Sequence, residues 1–165
     1  PVRVGDIIEI GGNWAEIKKI GLRATTVQNY DQADVIIPNG DLVANQVTNW
    51  TLSNRQARLI INVGVAYGSD VPLVINTLAA CAKEHRRVVQ MRPPQVLFQN
   101  FGESSLDFEL RVWVLDADER LLVGSDLRRE IDKKFREAGI EISFPQRDLH
   151  LRSVDQSISV PVQQV

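Results

Sequence analysis

The stretch Leu106-Asp107-Phe108-Glu109-Leu110-Arg111-Val112-Trp113-Val114 alternates apolar and polar side chains without a break, if Trp113 is counted with the polar set. In an extended chain successive side chains point to opposite faces. Leu106, Phe108, Leu110, Val112 and Val114 therefore share one face, and Asp107, Glu109, Arg111 and Trp113 share the other. The pattern predicts a strand with one face against a core. Downstream, Arg120 to Ala138 carries Leu127, Ile131 and Phe135 at four-residue spacing, which predicts a helix. Gly139 stands where a helix C-cap favours a left-handed residue. Upstream, Gly102-Glu103-Ser104-Ser105 is a turn, and Gln95 to Asn100 is a strand following the Pro93-Pro94 break. Further back, Arg58 to Val65 is a nearly continuous apolar strand. Ser69 or Asp70 is placed to cap a helix with Pro72 in its first turn. That helix carries the apolar stripe Val71, Val74, Ile75, Leu78, Cys81 and Ala82. It ends near His85-Arg86-Arg87, where basic charge suits the negative pole of the helix dipole. Arg147 to Arg152 reads as a last strand. The order strand, helix, strand, strand, helix, strand predicts a ferredoxin-like (βαββαβ) α+β domain over residues 57–152.

The first fifty residues have a different texture. Asp6 to Ile10, Trp14 to Ile20, Leu22 to Asn29, Val35 to Ile37 and Gln46 to Thr51 read as short strands, separated by Gly11-Gly12-Asn13, Gly21, Tyr30-Asp31-Gln32-Ala33-Asp34 and Pro38-Asn39-Gly40. One helical turn is expected around Asp41-Leu42-Val43-Ala44. Five strands at this spacing predict a small antiparallel β-barrel over residues 1–52, because closure removes exposed edges. Leu52-Ser53-Asn54-Arg55-Gln56 is the polar boundary between the two domains. Residues 153–165 read as a disordered tail or, because Ile158, Val160 and Val162 alternate, as a lone strand in need of partners.

Composition excludes several functions. The chain has 165 residues, 19 basic against 21 acidic, for a formal net charge of -2. No cationic excess is present to neutralise a nucleic-acid backbone. Cys81 is the single cysteine and, with two histidines, makes no zinc set. No apolar run approaches the roughly 20 residues that span a bilayer. The chain begins Pro1-Val2-Arg3-Val4 without a Met or a leader, and is expected to be cut from something larger. Gly11-Gly12 matches neither phosphate-binding glycine pattern and reads as a hairpin turn. Cys81, on an apolar stripe, reads as a buried structural thiol, with His85 facing solvent at the helix end. His85 and His150 carry no ligand spacing. Asp126 to Glu137 mixes signs at helical spacing and reads as a solvated face, an anion-binding stripe being the sharper alternative. Asp116, Asp118 and Glu119 lack the Ca²⁺-loop pattern and read as a turn with helix-capping acids. No catalytic, metal or cofactor constellation emerges, so no enzyme is predicted.

Several blocks carry a family resemblance. They are Arg3 to Ile10, Ile20-Gly21-Leu22-Arg23-Ala24-Thr25-Thr26, Val35-Ile36-Ile37-Pro38-Asn39-Gly40, Val65 to Asp70, and Ala138-Gly139-Ile140-Glu141-Ile142-Ser143-Phe144-Pro145-Gln146. Ordered as they are, these resemble the small-conductance mechanosensitive channel (MscS) family over residues 1 to about 152. Gly5, Asp6, Gly21, Arg23, Pro38, Asn39, Gly139 and Pro145 are the signature positions. The resemblance implies an Sm-like β-domain followed by the ferredoxin-like domain. Both would lie on the cytoplasmic side of the inner (cell) membrane, directly after a pore-lining transmembrane helix. It further implies a homoheptamer enclosing a vestibule with side openings, and a final strand that closes a small barrel at the far end. Membrane tension would open the pore and release ions and small osmolytes during hypo-osmotic shock. If the openings lie at the domain junction, Asn54, Arg55, Arg58 and Asp70 line them. Trp50-Thr51-Leu52-Ser53-Asn54 looks nearer the larger members. Asp31-Gln32-Ala33-Asp34 replaces the family's usual Asp-Gly turn, and Ser143 stands where the family often has Pro. The alternative is a ligand-binding regulatory module for a small molecule or RNA. Against RNA stand the net charge and the lack of a basic-aromatic stripe.

Overall fold

A computed structural model describes residues 2–150 and 152–153. The first unit holds β1 (Ile7–Ile10), β2 (Asn13–Ile20), β3 (Ala24–Asn29), β4 (Asp34–Pro38), α1 (Asn39–Ala44) and β5 (Thr48–Asn49). The strands form one antiparallel sheet in the order β4-β3-β2-β1-β5. The predicted barrel does not close among the described residues, because β4 and β5 are the two edges and do not pair with each other. The expected final strand over Gln46 to Thr51 shrinks to two residues for a local reason. The Thr51 hydroxyl accepts from Ile7 N at 2.9 Å, and Thr51 N donates to Asn49 Oδ1 at 3.0 Å. Side chains there take the bonds that a longer ladder needs.

The second unit holds β6 (Ala57–Val65), α2 (Val71–Glu84), β7 (Gln95–Phe101), β8 (Leu106–Val114), a single 3₁₀ turn (Ala117–Glu119) and α3 (Arg120–Ala138). Its sheet is antiparallel, in the order β6-β8-β7, with Ala57 opposite Val114 and Val65 opposite Leu106. Burial along β8 alternates as its sequence predicts. Its buried face meets Val74, Leu78 and Cys81 of α2 and Leu127, Ile131 and Phe135 of α3, all in one core. Asp70 caps α2 by accepting from Leu73 N at 3.1 Å. Gly139 ends α3 at φ +70°.

The predicted strand over 147–152 is absent at residues 147–150 and 152; residue 151 lies outside the described set. The place beside β6 is held by one antiparallel bridge, Ile142 with Val65. Ala66 N donates to Glu141 O at 2.9 Å and Ser143 N donates to Gly64 O at 3.2 Å. Pro145 then supplies no N–H, and Gln146 N donates to Ser104 Oγ at 3.2 Å, which leads the chain off the sheet. The expectations for residues 154–165 fall outside the described residues. No described helix is long and apolar enough to cross a membrane.

The cores are separate but adjoin. Ile8, Ile17 and Val27 form the small core of the first sheet. Ile7, next to Ile8 and on the opposite face of β1, belongs instead to the core of the second unit, and Trp14 packs against that core.

The turn before β4 explains the departure from Asp-Gly. Gln32 is the one non-glycine with positive φ among the described residues, at +64°. Asn29 fixes it there: its N donates to Ala33 O at 3.0 Å and its Oδ1 accepts from Ala33 N at 2.9 Å. A left-handed glutamine is strained by about 1–2 kcal/mol, and glycine removes that strain while costing roughly 0.5–1 kcal/mol of backbone entropy. Gln32→Gly is expected to raise stability by about 0.5–1 kcal/mol in urea unfolding.

Candidate functional site at the junction of the two units

Asp6 organises the approach to the junction. Its buried carboxylate accepts from Arg3 N at 2.8 Å and from Asn49 Nδ2 at 2.7 Å, and it lies 3.5 Å from the Thr51 hydroxyl. Its backbone carbonyl accepts from Ile17 N at 2.9 Å. One residue thereby ties the entry segment, β2 and the return strand β5 to β1. Gly5 N donates to Ile17 O at 2.8 Å, continuing the same seam. Asn39 plays the matching part at the other edge. Its N donates to Arg23 O at 2.8 Å, its Nδ2 to Gly21 O at 2.9 Å, and its Oδ1 accepts from Thr25 at 2.8 Å. Gly21 has no room for a side chain, since a Cβ there would sit 2.8 Å from Ala24 O. Pro38 directly precedes α1. Pro145 lies in the exposed, irregular stretch after Ile142.

Of the four candidate portal residues, Asn54 and Arg55 lie in the linker and Arg58 and Asp70 in the second unit. Asn54 turns the linker by accepting from Gln56 N at 2.9 Å. Arg58 stands on β6 opposite Trp113, on the sheet face away from the helices. Asp70 lies past the far end of β6, a strand that runs about 26 Å from Ala57 to Val65 at a rise of about 3.3 Å per residue. Arg55 is the one engaged at the junction. Its Nε reaches Asp116 Oδ2 at 2.7 Å and its Nη2 reaches Asp116 Oδ1 at 3.0 Å, a planar two-point fork. The same Nη2 reaches Asp118 Oδ2 at 3.3 Å, and Nη1 reaches Gly5 O at 3.4 Å. Ala117 N donates to Arg55 O at 2.7 Å.

A second cluster lies beside the first. Trp14 on β2 stacks on Trp50, with ring centroids 4.8 Å apart and planes 17° from parallel. The Arg120 guanidinium at the start of α3 sits 3.8 Å from the Trp14 ring centroid. Trp50 already covers one face of the indole, so Arg120 covers the other. Trp50 Nε1 donates to Glu9 Oε2 at 3.1 Å. Next to this sandwich a cavity of about 770 Å³ opens over the first sheet, floored by Ile8, Val27 and Ile37 and rimmed by Tyr30, Asp41 and Arg120. Asp116 also caps the 3₁₀ turn by accepting from Asp118 N at 3.0 Å, the capping role that its sequence predicts. Sequence reading missed the partnership of Arg55 with Asp116 and that of Trp14 with Arg120, because neither has a local signal.

Electrostatics follow the geometry. Burial works to raise the Asp116 carboxyl, but the Arg55 fork, the Asp118 N–H and Arg87 outweigh it and hold it below the usual carboxylate range. Asp118 is pushed up, by burial first and then by the Asp116 charge. The hydrogen bond to Asp116 raises Arg55. Burial, then Asp118, raises Tyr30 against the opposing charge of Arg120. His85 departs from expectation: it is largely covered, at 17% side-chain exposure, with Nδ1 accepting from Arg87 N at 3.2 Å. Cys81 is buried as expected.

Asp116 stabilises the fold above its unfolded value of about 3.9, and that contribution disappears as pH falls through the lower folded value. Asp118 acts in the opposite sense, costing stability while ionised. Arg55→Gln is therefore expected to flatten the acid loss of stability below about pH 4, measured as urea midpoints between pH 3 and 7. The effect stays under about 1 kcal/mol, because Arg55 is 45% exposed and Asp116 30%. Burial pushes the Cys81 thiol up to about 11. At pH 8 only about one molecule in a thousand is thiolate, so labelling by a disulfide reagent is expected to run at least about 100-fold slower in the folded chain than in urea.

Comparison with known proteins agrees with this arrangement. Residues 1–52 match the family description "Mechanosensitive ion channel, beta-domain", and residues 59–142 match "Mechanosensitive ion channel MscS, C-terminal". An MscS family protein of Haemophilus influenzae is 41% identical over 161 residues, covering 98% of this chain and 14% of its own length. The mechanosensitive channel MscK of Escherichia coli is 42% identical over 153 residues, covering 93% of this chain and again 14% of the relative. The chain thus spans about one seventh of those relatives. The closed-state crystal structure of Helicobacter pylori MscS superposes with a TM-score of 0.85 at 28% identity, over 93% of this chain and 60% of that one. Arabidopsis thaliana MSL1 shares the fold, with a TM-score of 0.65 at 16% identity, over 88% of this chain and 54% of that one. Two consecutive family matches and a like-shaped channel structure place the junction between the same two units, and the chain belongs to the MscS family of mechanosensitive ion channels.

Proposed function

We propose that this chain is the vestibule part of a tension-gated channel. It lies on the cytoplasmic side of the inner membrane and is carried there by transmembrane helices N-terminal to it. Seven copies enclose the vestibule, and ions and small osmolytes leave through it during hypo-osmotic shock. The observation that carries this reading is the pair of consecutive family matches, one on each unit, with the fit to the Helicobacter pylori channel structure. Residues 1–52 are read as an Sm-like β-domain, supported by the five-strand order and the short helix before β5. Residues 57–152 are read as a ferredoxin-like domain. Its support is the sheet order β6-β8-β7 with Ile142 bridging the outer edge of β6 and both helices on one face. Residues 153–165 are read as a tail or end-barrel strand. No catalytic role is proposed.

Physically, the state with the larger in-plane area is favoured by tension, and that difference resides in the membrane part. The present units hold their copies in register below the pore and filter solutes through side openings. Asn54, Arg55, Arg58 and Asp70 are read as facing those openings, with Asp116 and Asp118 offsetting the charge of Arg55.

The test is patch recording of the full-length channel in a salt gradient. A conductance activated by suction is expected, with a reversal potential that moves when Arg55 and Arg58 are both changed to Glu. Absence of stretch-activated current overturns the channel reading. An unmoved reversal potential with intact conductance overturns only the portal assignment.

A further inference from the structure

Among the described residues the two units meet at one buried side chain and at two clusters of unlike physics, and together these define their mutual orientation. Ile7 is the pivot: it leaves β1 and enters the core of the second unit at 1% exposure. Ile7 alone would permit rotation about itself, and Trp14, which packs against the same core, belongs to the second of the contacts that follow. Two further contacts remove that freedom, and both grip the same short segment, Asp116 to Arg120. From the linker, the Arg55 fork holds Asp116 at 2.7 and 3.0 Å and Asp118 at 3.3 Å, while its remaining nitrogen reaches back to Gly5 O at 3.4 Å. One guanidinium thus bonds both units at once. From β2, Trp14 receives Arg120 at 3.8 Å on one face and Trp50 on the other. Trp50 is itself anchored to β1, through Nε1 to Glu9 Oε2 at 3.1 Å and through its N to Ile7 O at 2.9 Å.

We infer that Arg55 and Arg120 are positioning residues that lock the β-sheet unit and the α/β unit into one rigid body. Any tilt imposed on β1 is carried undiminished to the helices of the second unit. In an assembly of copies, shape change then takes place between copies and not within one. The two braces respond to different conditions. The Arg55 fork is exposed and ionic, so salt weakens it, although its contacts of 2.7 and 3.0 Å are no longer than the screening length of about 3 Å reached near 1 M. The indole sandwich relies on desolvated surface and the ring quadrupole, and it persists in salt. Either brace with the Ile7 pivot suffices to hold the orientation.

Residual dipolar couplings on the chain test this without reference to channel activity. Couplings from residues 7–49 and 57–138 are expected to fit one alignment tensor, at low salt and at about 1 M salt. Arg120→Gln is expected to keep the single tensor at low salt and to depart from it as salt rises to about 1 M, where one brace is gone and the other is weakened. Arg120→Lys, which retains a cation over the indole, restores the single tensor at 1 M. Arg55→Gln with Arg120→Gln separates into two tensors at any salt, amide shifts within each unit showing that both stay folded. Should that double variant fail to fold, the salt titration of Arg120→Gln decides alone. Two tensors in the unsubstituted chain, or an Arg120→Gln chain indifferent to salt, overturns the inference.

Discussion

Ile7 and Ile8 are neighbours on β1 and serve different cores. Strand alternation sends one to the helices of the α/β unit and the other to the small core of the first sheet. A one-residue slip in β1 would empty both. Everything else at the junction depends on that register. Asp6, just before the pair, fixes it with a buried carboxylate bonded to Arg3, Asn49 and the neighbourhood of Thr51. Those bonds also return the chain to β1 and so set where the linker and Arg55 begin.

What the sequence made legible was local. The alternation in Leu106 to Val114, the four-residue spacing from Leu127 to Phe135, the Asp70 cap and the Gly139 stop are signals carried within a few residues, and each forms where the pattern places it. The reading failed where neighbouring options compete at similar cost. Thr51 and Asn49 satisfy the backbone with side chains, so β5 stops at two residues. Arg147 to His150 has strand-like spacing, but Pro145 and the Gln146 bond to Ser104 divert the chain before it can follow β6. The barrel expectation assumed that edges close within one chain, and the observed sheet leaves β4 and β5 apart.

The junction was the least legible part, for a physical reason. Arg55 and Asp116 are 61 residues apart, and Trp14 and Arg120 come from different units. No periodicity or turn chemistry links them; only the completed fold does. Asp116 and Asp118 were readable as capping acids, which is half of what Asp116 does. The family blocks located Gly5 and Asp6 but not what they hold. Gln32 shows the converse, since the departure from Asp-Gly was visible and its consequence, a strained left-handed residue, was not.

The placement of Ile7 also bears on how such chains can be recombined. A polar, exposed linker at residues 53–56 looks like a natural seam for exchanging modules. Cutting there removes one side chain from the core of the second unit and leaves an apolar residue uncovered on the first. A grafted β-unit therefore brings its partner's core residue with it, and a productive chimera has to match the side chain at position 7 to the acceptor's interior. The covalent seam and the packing seam of this molecule lie in different places.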